Sequence, residues 1–285
     1  MQEDKILTLA IEKILLQLVE RGIKCAIRRN FEKRSIPFVS DIDILIDGKH
    51  VDTVIDTILE IAEIVRIKLS YGGFKIWIRT PDGLLKELDF IWRVSKWGVI
   101  VLDKREIRQI LDKYTVFERN IPILLPEGIG RLIFAEKTQH NDFIRYSYEL
   151  RKAGLLELDK WARFAFLLKR ALLSPLQTVE SIVRFILLQV SRFFHPVGVT
   201  IFCKGATNNH ENELLKYLFD SRIYKSESIV ETIYYRNFIG GLVFVNSKAY
   251  ADIVVGDLSS CIIEQIIEYL KRNRKSLSRF QVSLA

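Results

Sequence analysis

The run Ser40-Asp41-Ile42-Asp43-Ile44-Leu45-Ile46 indicates how the N-terminal half of the chain folds. Side chains two apart on a strand point to the same face, so Asp41 and Asp43 converge. Ile42 and Ile44 then enter the core on the opposite face. A turn signal follows directly. The run therefore predicts a buried strand that aims two carboxylates at one point.

The segments around this strand predict an α+β domain with a mixed sheet over residues 1 to 125. Apolar residues recur at helical spacing over residues 4 to 21 and 51 to 63. Short strand-like runs occupy residues 24 to 27, 64 to 69, 73 to 79 and 86 to 92. Turn residues at positions 80 to 83 separate the last two runs, which predicts a hairpin.

A third carboxylate, Asp89, interrupts an apolar run, Leu88 to Trp92. An apolar strand avoids a charge unless something compensates it. A hard divalent cation supplies that compensation, because magnesium prefers carboxylate, water and phosphate oxygens. The pattern favours a Mg²⁺ or Mn²⁺ site built from Asp41, Asp43 and Asp89. Such a site suits phosphoryl or nucleotidyl transfer.

A purely structural interpretation of the same aspartates stays open. In that interpretation Asp41 is a turn residue and Asp43 lies on a wet sheet face. Asp89 then forms an ion pair with a basic neighbour such as Lys86 or Arg93. The three carboxylates would share no ligand.

Three segments together resemble the nucleotidyltransferase fold of the DNA polymerase beta superfamily: Cys25 to Glu32, Ser40 to Ile46 and Glu87 to Phe90. The likeness extends to a bacterial and archaeal group in which such a domain precedes a thymidylate-kinase-like P-loop domain. The resemblance implies transfer of a nucleoside monophosphate from a nucleoside triphosphate to an acceptor. It also implies that the three aspartates are the catalytic metal ligands.

One departure from the superfamily concerns the triphosphate. Its usual Gly-Ser or Gly-Gly pair at a helix start is replaced here by Arg29-Asn30. Arginine can bind phosphate through two parallel hydrogen bonds, so Arg28 or Arg29 is expected to take over part of that function. The resemblance adds Ser40 and Lys137 as further triphosphate contacts. The alternative is that the arginines lie in a solvated loop and Lys137 on the surface.

The rest of the chain predicts a helical region or linker over residues 126 to 195 and a small α/β domain with a parallel sheet over residues 196 to 285. Residues 199 to 212 stand where a phosphate-binding loop, G-x-x-x-x-G-K-[ST], is expected. Only its first glycine, Gly205, is present, and His210, Glu211 and Asn212 replace the others. Glutamate repels phosphate, so we interpret this as a degenerate P-loop domain without kinase activity.

Composition indicates the class of partner. The formal net charge is +8 over 285 residues, which favours a polyanionic partner such as a nucleotide, a nucleic acid or an anionic surface. Cys25, Cys203 and Cys261 are far apart and flanked by apolar residues, as in a protein with reduced thiols, and we expect a cytoplasmic location.

The apolar segment Ile182 to Phe194 is interrupted by polar residues and is shorter than the roughly 20 apolar residues of a spanning helix. It is predicted not to cross a membrane. We expect it to dock between domains, or else to lie on an anionic membrane surface.

Two functions remain open from the sequence. The first is a metal-dependent nucleotidyltransferase whose acceptor is a protein hydroxyl, a sugar, an RNA end or another nucleotide. The second is a catalytically inactive nucleotide-binding or scaffold protein in which both modules have decayed. Retention of three aspartates on or beside apolar strands favours the first, because a decayed site has no physical reason to keep them.

Overall fold

The structure is a computed structural model, and it describes residues 3–28, 41–81, 83, 85–96, 99–118, 120–136, 146–155, 160–173, 175–194, 196, 198–203, 215–219, 222–255 and 262–274. The chain divides into two compact units. The first comprises Met1–Ile64 and Leu69–Phe185, and the second comprises Val65–Lys68 and Ile186–Leu284. Helices and strands are mixed in the chain, which confirms the predicted α and β content.

A mixed sheet organises the N-terminal half. The strands, in chain order, are β1 (Cys25–Ile27), β2 (Asp41–Ile46), β3 (Glu63–Ser70), β4 (Gly73–Arg79), β5 (Leu85–Ile91), β6 (Val94–Lys96), β7 (Val99–Leu102), β8 (Thr115–Glu118) and β9 (Ile121–Leu124). Seven of them form one sheet in the order β3-β4-β5-β2-β1-β9-β8, while β6 and β7 form a ribbon. Because β2 runs parallel to β5 and antiparallel to β1, the sheet is mixed as predicted.

Helices precede, separate and follow these strands along the chain. They are α1 (Glu3–Glu20), α2 (Val51–Leu59), α3 (Lys104–Tyr114), α4 (Pro126–Glu136), α5 (Ser147–Lys152), α6 (Lys160–Leu173) and α7 (Pro175–Phe194). The predicted end of α1 is confirmed, since Gly22 adopts a φ of 79°, a left-handed conformation that favours glycine. Asp103 and Glu106 form a capping box at the start of α3.

Strand β2 is covered on both faces. On one face Ile44 and Ile46 are fully buried, and the thiol of the neighbouring Cys25 contacts the Leu15 carbonyl oxygen of α1 at 3.9 Å. On the other face Leu45 packs in a core cluster with residues of α3 and α4. The odd-numbered residues of β2 therefore share their face with α3 and α4.

The second unit contains a four-stranded sheet. Its strands are β10 (Val199–Cys203), β11 (Ile223–Ser226), β12 (Leu242–Val245) and β13 (Ile253–Val255), in the order β11-β12-β10-β13 and all parallel, as predicted. Helices α8 (Ile229–Ile233) and α9 (Ile262–Arg274) belong to it, and a π-helical turn, Tyr234–Ile239, follows α8. The P-loop positions Gly205, His210, Glu211 and Asn212 lie outside the described residues.

Helix α7 exposes its apolar side chains. Leu176 is 85% exposed and Phe194 is 72% exposed, whereas Ser181 and Ser191 are buried. Among the helices that the structure describes, none is long and apolar enough to cross a membrane.

Packing of α4 depends on a close backbone approach at Gly130. A Cβ there would overlap the backbone oxygen of Glu149 on α5 and lie 2.8 Å from the Ala153 Cβ. We expect Gly130→Ala to destabilise the protein by about 1–2 kcal/mol. Overpacking by a methyl group costs about 1–3 kcal/mol, and the better helix propensity of alanine returns up to about 1 kcal/mol.

Urea unfolding measures this difference. Gly48→Ala is the matched control, since a Cβ at Gly48 meets only the movable ring of His50, at 3.3 Å. Equal stability of Gly130→Ala and the wild type would contradict the close approach of α4 and α5.

Candidate functional site

Asp43 and Asp89 lie opposite each other on neighbouring parallel strands. The register pairs Asp43 of β2 with Asp89 of β5, and one step earlier on the same face it pairs Asp41 with Glu87. Asp43 is only 3% exposed. The alternative that Asp43 lies on a wet sheet face is therefore wrong. Two carboxylates lie side by side under protein cover.

A lysine accompanies the two aspartates. Lys75 of β4 pairs in register with Asp89, and its Nζ forms an ion pair with Glu87 and lies 3.7 Å from Asp89 Oδ2. Asp89 does have a basic neighbour, but this neighbour is Lys75 rather than Lys86 or Arg93. Lys86 is an odd number of residues from Asp89 and so belongs to the other strand face. Arg93 instead donates a hydrogen bond to the Tyr71 hydroxyl at 2.6 Å.

Arg28 completes a row of charged residues across four strands. Its backbone N–H donates to the Asp43 carbonyl oxygen at 2.9 Å, so Arg28 follows β1 directly beside Asp43. Its side chain is buried, and its two terminal nitrogens donate to the two carboxylate oxygens of Glu136 on α4, each at 2.6 Å. The alternative of a solvated loop is wrong for Arg28. The guanidinium faces Glu136, so this ion pair connects the end of β1, beside Asp43, to helix α4.

Asp89 is a much weaker acid than an ordinary aspartic acid. Loss of solvent is the largest cause, and it raises the pKa of Asp89 from 3.8 to about 7. Lys75 lowers this pKa, whereas Asp43, Glu87 and Glu136 raise it. The negative charges of three carboxylates thus disfavour ionisation of Asp89, while the positive charge of one ammonium favours it. A further cation beside Asp89 would favour its ionised form.

The arrangement of Asp43 and Asp89 fits two oxygen ligands of a divalent cation. Parallel neighbouring strands lie about 4.8 Å apart, which allows two carboxylates in register to reach one ion. In the part of the chain that the structure describes, no three His, Cys, Asp or Glu side chains are arranged to hold a metal. The expected third ligand, the side chain of Asp41, is outside that part, as are Arg29, Asn30, Ser40 and Lys137.

Sequence reasoning did not assign the neighbours of the aspartates. Lys75 could have been found from the hairpin, because a turn centred on residues 80 to 83 brings positions 75 and 89 opposite each other. Glu87 could have been found from strand alternation, since it lies two residues before Asp89. Glu136 is 108 residues from Arg28, and no local pattern connects them.

Comparisons with known proteins do not supply a family: no family model, no curated protein and no solved structure matches the chain. The resemblance to the nucleotidyltransferase fold therefore stays a prediction.

Replacing Asp89 by asparagine should change how stability depends on pH. Because the folded-state pKa of Asp89 is raised, its contribution to stability is complete below about pH 4 and is lost as the pH rises through about 7. Asp89→Asn has no such loss. With a chelator present, the unfolding free energy of Asp89→Asn minus that of the wild type should therefore increase as the pH rises. The increase is up to about 1.4 kcal/mol per pH unit in this range.

Urea titrations of both proteins at about pH 5 and about pH 8 measure this gain. Asp112→Asn serves as the control, because Asp112 is an exposed partner of Lys24. Parallel pH dependence of Asp89→Asn and wild type would contradict the raised pKa.

Proposed function

We propose that the protein is a metal-dependent nucleotidyltransferase, which moves a nucleoside monophosphate from a nucleoside triphosphate to an acceptor hydroxyl. The observation that supports this most is the register of Asp43 and Asp89, a buried and a half-buried carboxylate side by side on parallel strands. The pKa of Asp89 adds to it, since three carboxylates and one ammonium surround this group. A divalent cation would relieve that imbalance.

The aspartates have separate roles in the proposed reaction. Asp41 and Asp43 hold the metal, and Asp89 completes the site. A divalent cation bound there would neutralise phosphate charge during the transfer. Asp89, as an ionised carboxylate beside the metal, is also proposed to accept the proton of the acceptor hydroxyl.

Other residues in the proposal serve the triphosphate and the framework. Arg29, Asn30, Ser40 and Lys137 are proposed contacts of the triphosphate. Arg28, bonded to Glu136, is a positioning residue that keeps the end of β1 beside Asp43. The proposal includes a nucleotidyltransferase domain over residues 1 to 125, a helical region over 126 to 195 and a degenerate P-loop domain over 196 to 285.

A cytoplasmic location belongs to the same proposal. It is supported by Cys25, a free thiol that is buried in the core. Burial raises the pKa of this thiol to about 12, with a smaller effect from Asp47, so the thiol stays protonated and unreactive.

A second candidate, a catalytically inactive nucleotide-binding or scaffold protein, is favoured by one specific observation. Lys75 already forms an ion pair with Glu87 and lies 3.7 Å from Asp89, so part of the negative charge is compensated from within the chain. In this case nucleotide binding would not depend on a divalent cation. Because nothing is transferred in this case, no acceptor is involved.

Titration calorimetry with Mn²⁺ and with each nucleoside triphosphate distinguishes the two candidates. We expect Mn²⁺ to bind the wild type and to be required for triphosphate binding. Asp43→Asn should weaken metal binding on the order of 10-fold to 100-fold or more, because it removes a charged ligand. Asp112→Asn, on an exposed ion pair, is the control with unchanged affinity.

Transfer itself is measured by incubating labelled triphosphates with cell extract. The wild type should label an acceptor, and Asp43→Ala should label it about 100-fold less or not at all. Triphosphate binding that survives in chelator and in Asp43→Asn, without labelled product, would contradict the transferase and favour the scaffold.

A further inference from the structure

A pocket in the first unit has a lining unlike that of the aspartate site. Its volume is about 650 Å³, which is typical of small-molecule sites. Helices α3, α4 and α6 supply most of its lining. Its apolar surface is formed by Leu102, Ile110, Phe134, Ala135, Leu155 and Phe166. Neither Asp43 nor Asp89 lines it.

Basic side chains surround this apolar surface. Lys113, Arg131, Lys169 and Arg170 line the same pocket. Arg170 forms an ion pair with Glu106. The other three form no ion pair with a carboxylate in the described part of the chain, and all three are exposed. The pocket therefore offers positive charge to a ligand.

Tyr114 holds two of these cations at one side of the pocket. Arg131 Nε donates to the Tyr114 hydroxyl at 3.2 Å, and Lys113 Nζ lies 5.3 Å from the centre of the same ring. Cations near an aromatic face are attracted by its quadrupole. Two of the basic side chains therefore share one aromatic neighbour at this side of the pocket.

The acidic group of the pocket is already occupied. Glu106 Oε2 accepts a hydrogen bond from the Asp103 backbone N–H at 3.0 Å, and Oε1 accepts from Arg170. Gln109 is exposed. The lining offers many N–H donors but few free acceptors, so the amino groups of a buried nucleobase would lack partners, at a cost of about 1–3 kcal/mol each. An aliphatic chain has no such groups.

We propose that this pocket binds a single-chain amphipathic anion of the fatty-acyl type. Its carboxylate or other acidic head lies against Lys113, Arg131 and Lys169, and its chain lies on Phe134 and Phe166. The site is independent of the metal site and of the proposed transfer reaction, because its residues take no part in either.

Calorimetric titration with sodium decanoate below its micelle concentration tests this site directly, in chelator and without nucleotide. We expect one decanoate per chain. Acetate, which has the head without the chain, and decyltrimethylammonium, which has the chain with the opposite charge, should each bind at least about tenfold more weakly.

Two variants locate the binding. The double variant Lys113→Gln, Arg131→Gln removes exposed charges and should weaken decanoate binding on the order of tenfold. Ala165→Trp fills the pocket from an exposed helix position and should abolish binding. Lys152→Gln, an exposed lysine on α5 outside the pocket lining, is the matched control with unchanged affinity.

Thermal melts check that each variant is folded, and the charge variant decides the outcome if Ala165→Trp does not fold. Three results would overturn the proposal: decanoate affinity unchanged in the folded variants, equal affinity for decyltrimethylammonium, or displacement of decanoate by a nucleoside triphosphate. The last result would assign the pocket to a nucleotide instead. Metal binding at Asp43 is measured separately, so failure of one proposal leaves the other standing.

Discussion

Two carboxylates in register on adjacent parallel strands, Asp43 buried and Asp89 half-buried, impose the main constraint on the N-terminal half of this protein. Asp43 raises the pKa of Asp89, and the loss of solvent around Asp89 raises it further, to about 7. Lys75 forms an ion pair with Asp89, and the Arg28–Glu136 ion pair lies beside Asp43. Arg28 is itself buried, so loss of Glu136 would leave its charge without this carboxylate partner.

Helix α4 connects this constraint to the rest of the first unit. Its last residue, Glu136, binds Arg28, while the preceding residues Phe134 and Ala135 line the apolar pocket. Successive residues of a helix point in different directions, so one helix serves both the charged row and the pocket. The close approach of α4 to α5 at Gly130 fixes its position. Two chemically different sites thus share one wall.

Local patterns in the sequence were sufficient for the strands that carry the aspartates. Alternation along Asp41 to Ile46 and the turn at residues 80 to 83 predicted β2 and the β4–β5 hairpin. The parallel sheet of the second unit also followed from alternating patterns. The short strands β6 to β9 and β11 were not predicted, because runs of three or four residues carry little periodicity. Helix α3 was also missed, although its eleven residues carry a helical pattern.

Contacts between distant segments were beyond such patterns. The bond from Arg28 to Glu136 and the pocket beside α3, α4 and α6 depend on how helices pack on the sheet. Helix packing is set by side-chain shape over many residues, which a single sequence does not display. Lys75 is intermediate, since the hairpin turn alone would have put it opposite Asp89.

Anomalous diffraction from crystals of the protein soaked in Mn²⁺ addresses the role of Asp43 and Asp89 most simply. If the pair is a metal site, an anomalous peak will lie within about 2.5 Å of carboxylate oxygens of both residues. The peak will be lost in Asp43→Asn crystals. Absence of a peak at saturating Mn²⁺, with Lys75 still bonded to Glu87 and beside Asp89, would contradict the metal site and leave a purely structural charge cluster.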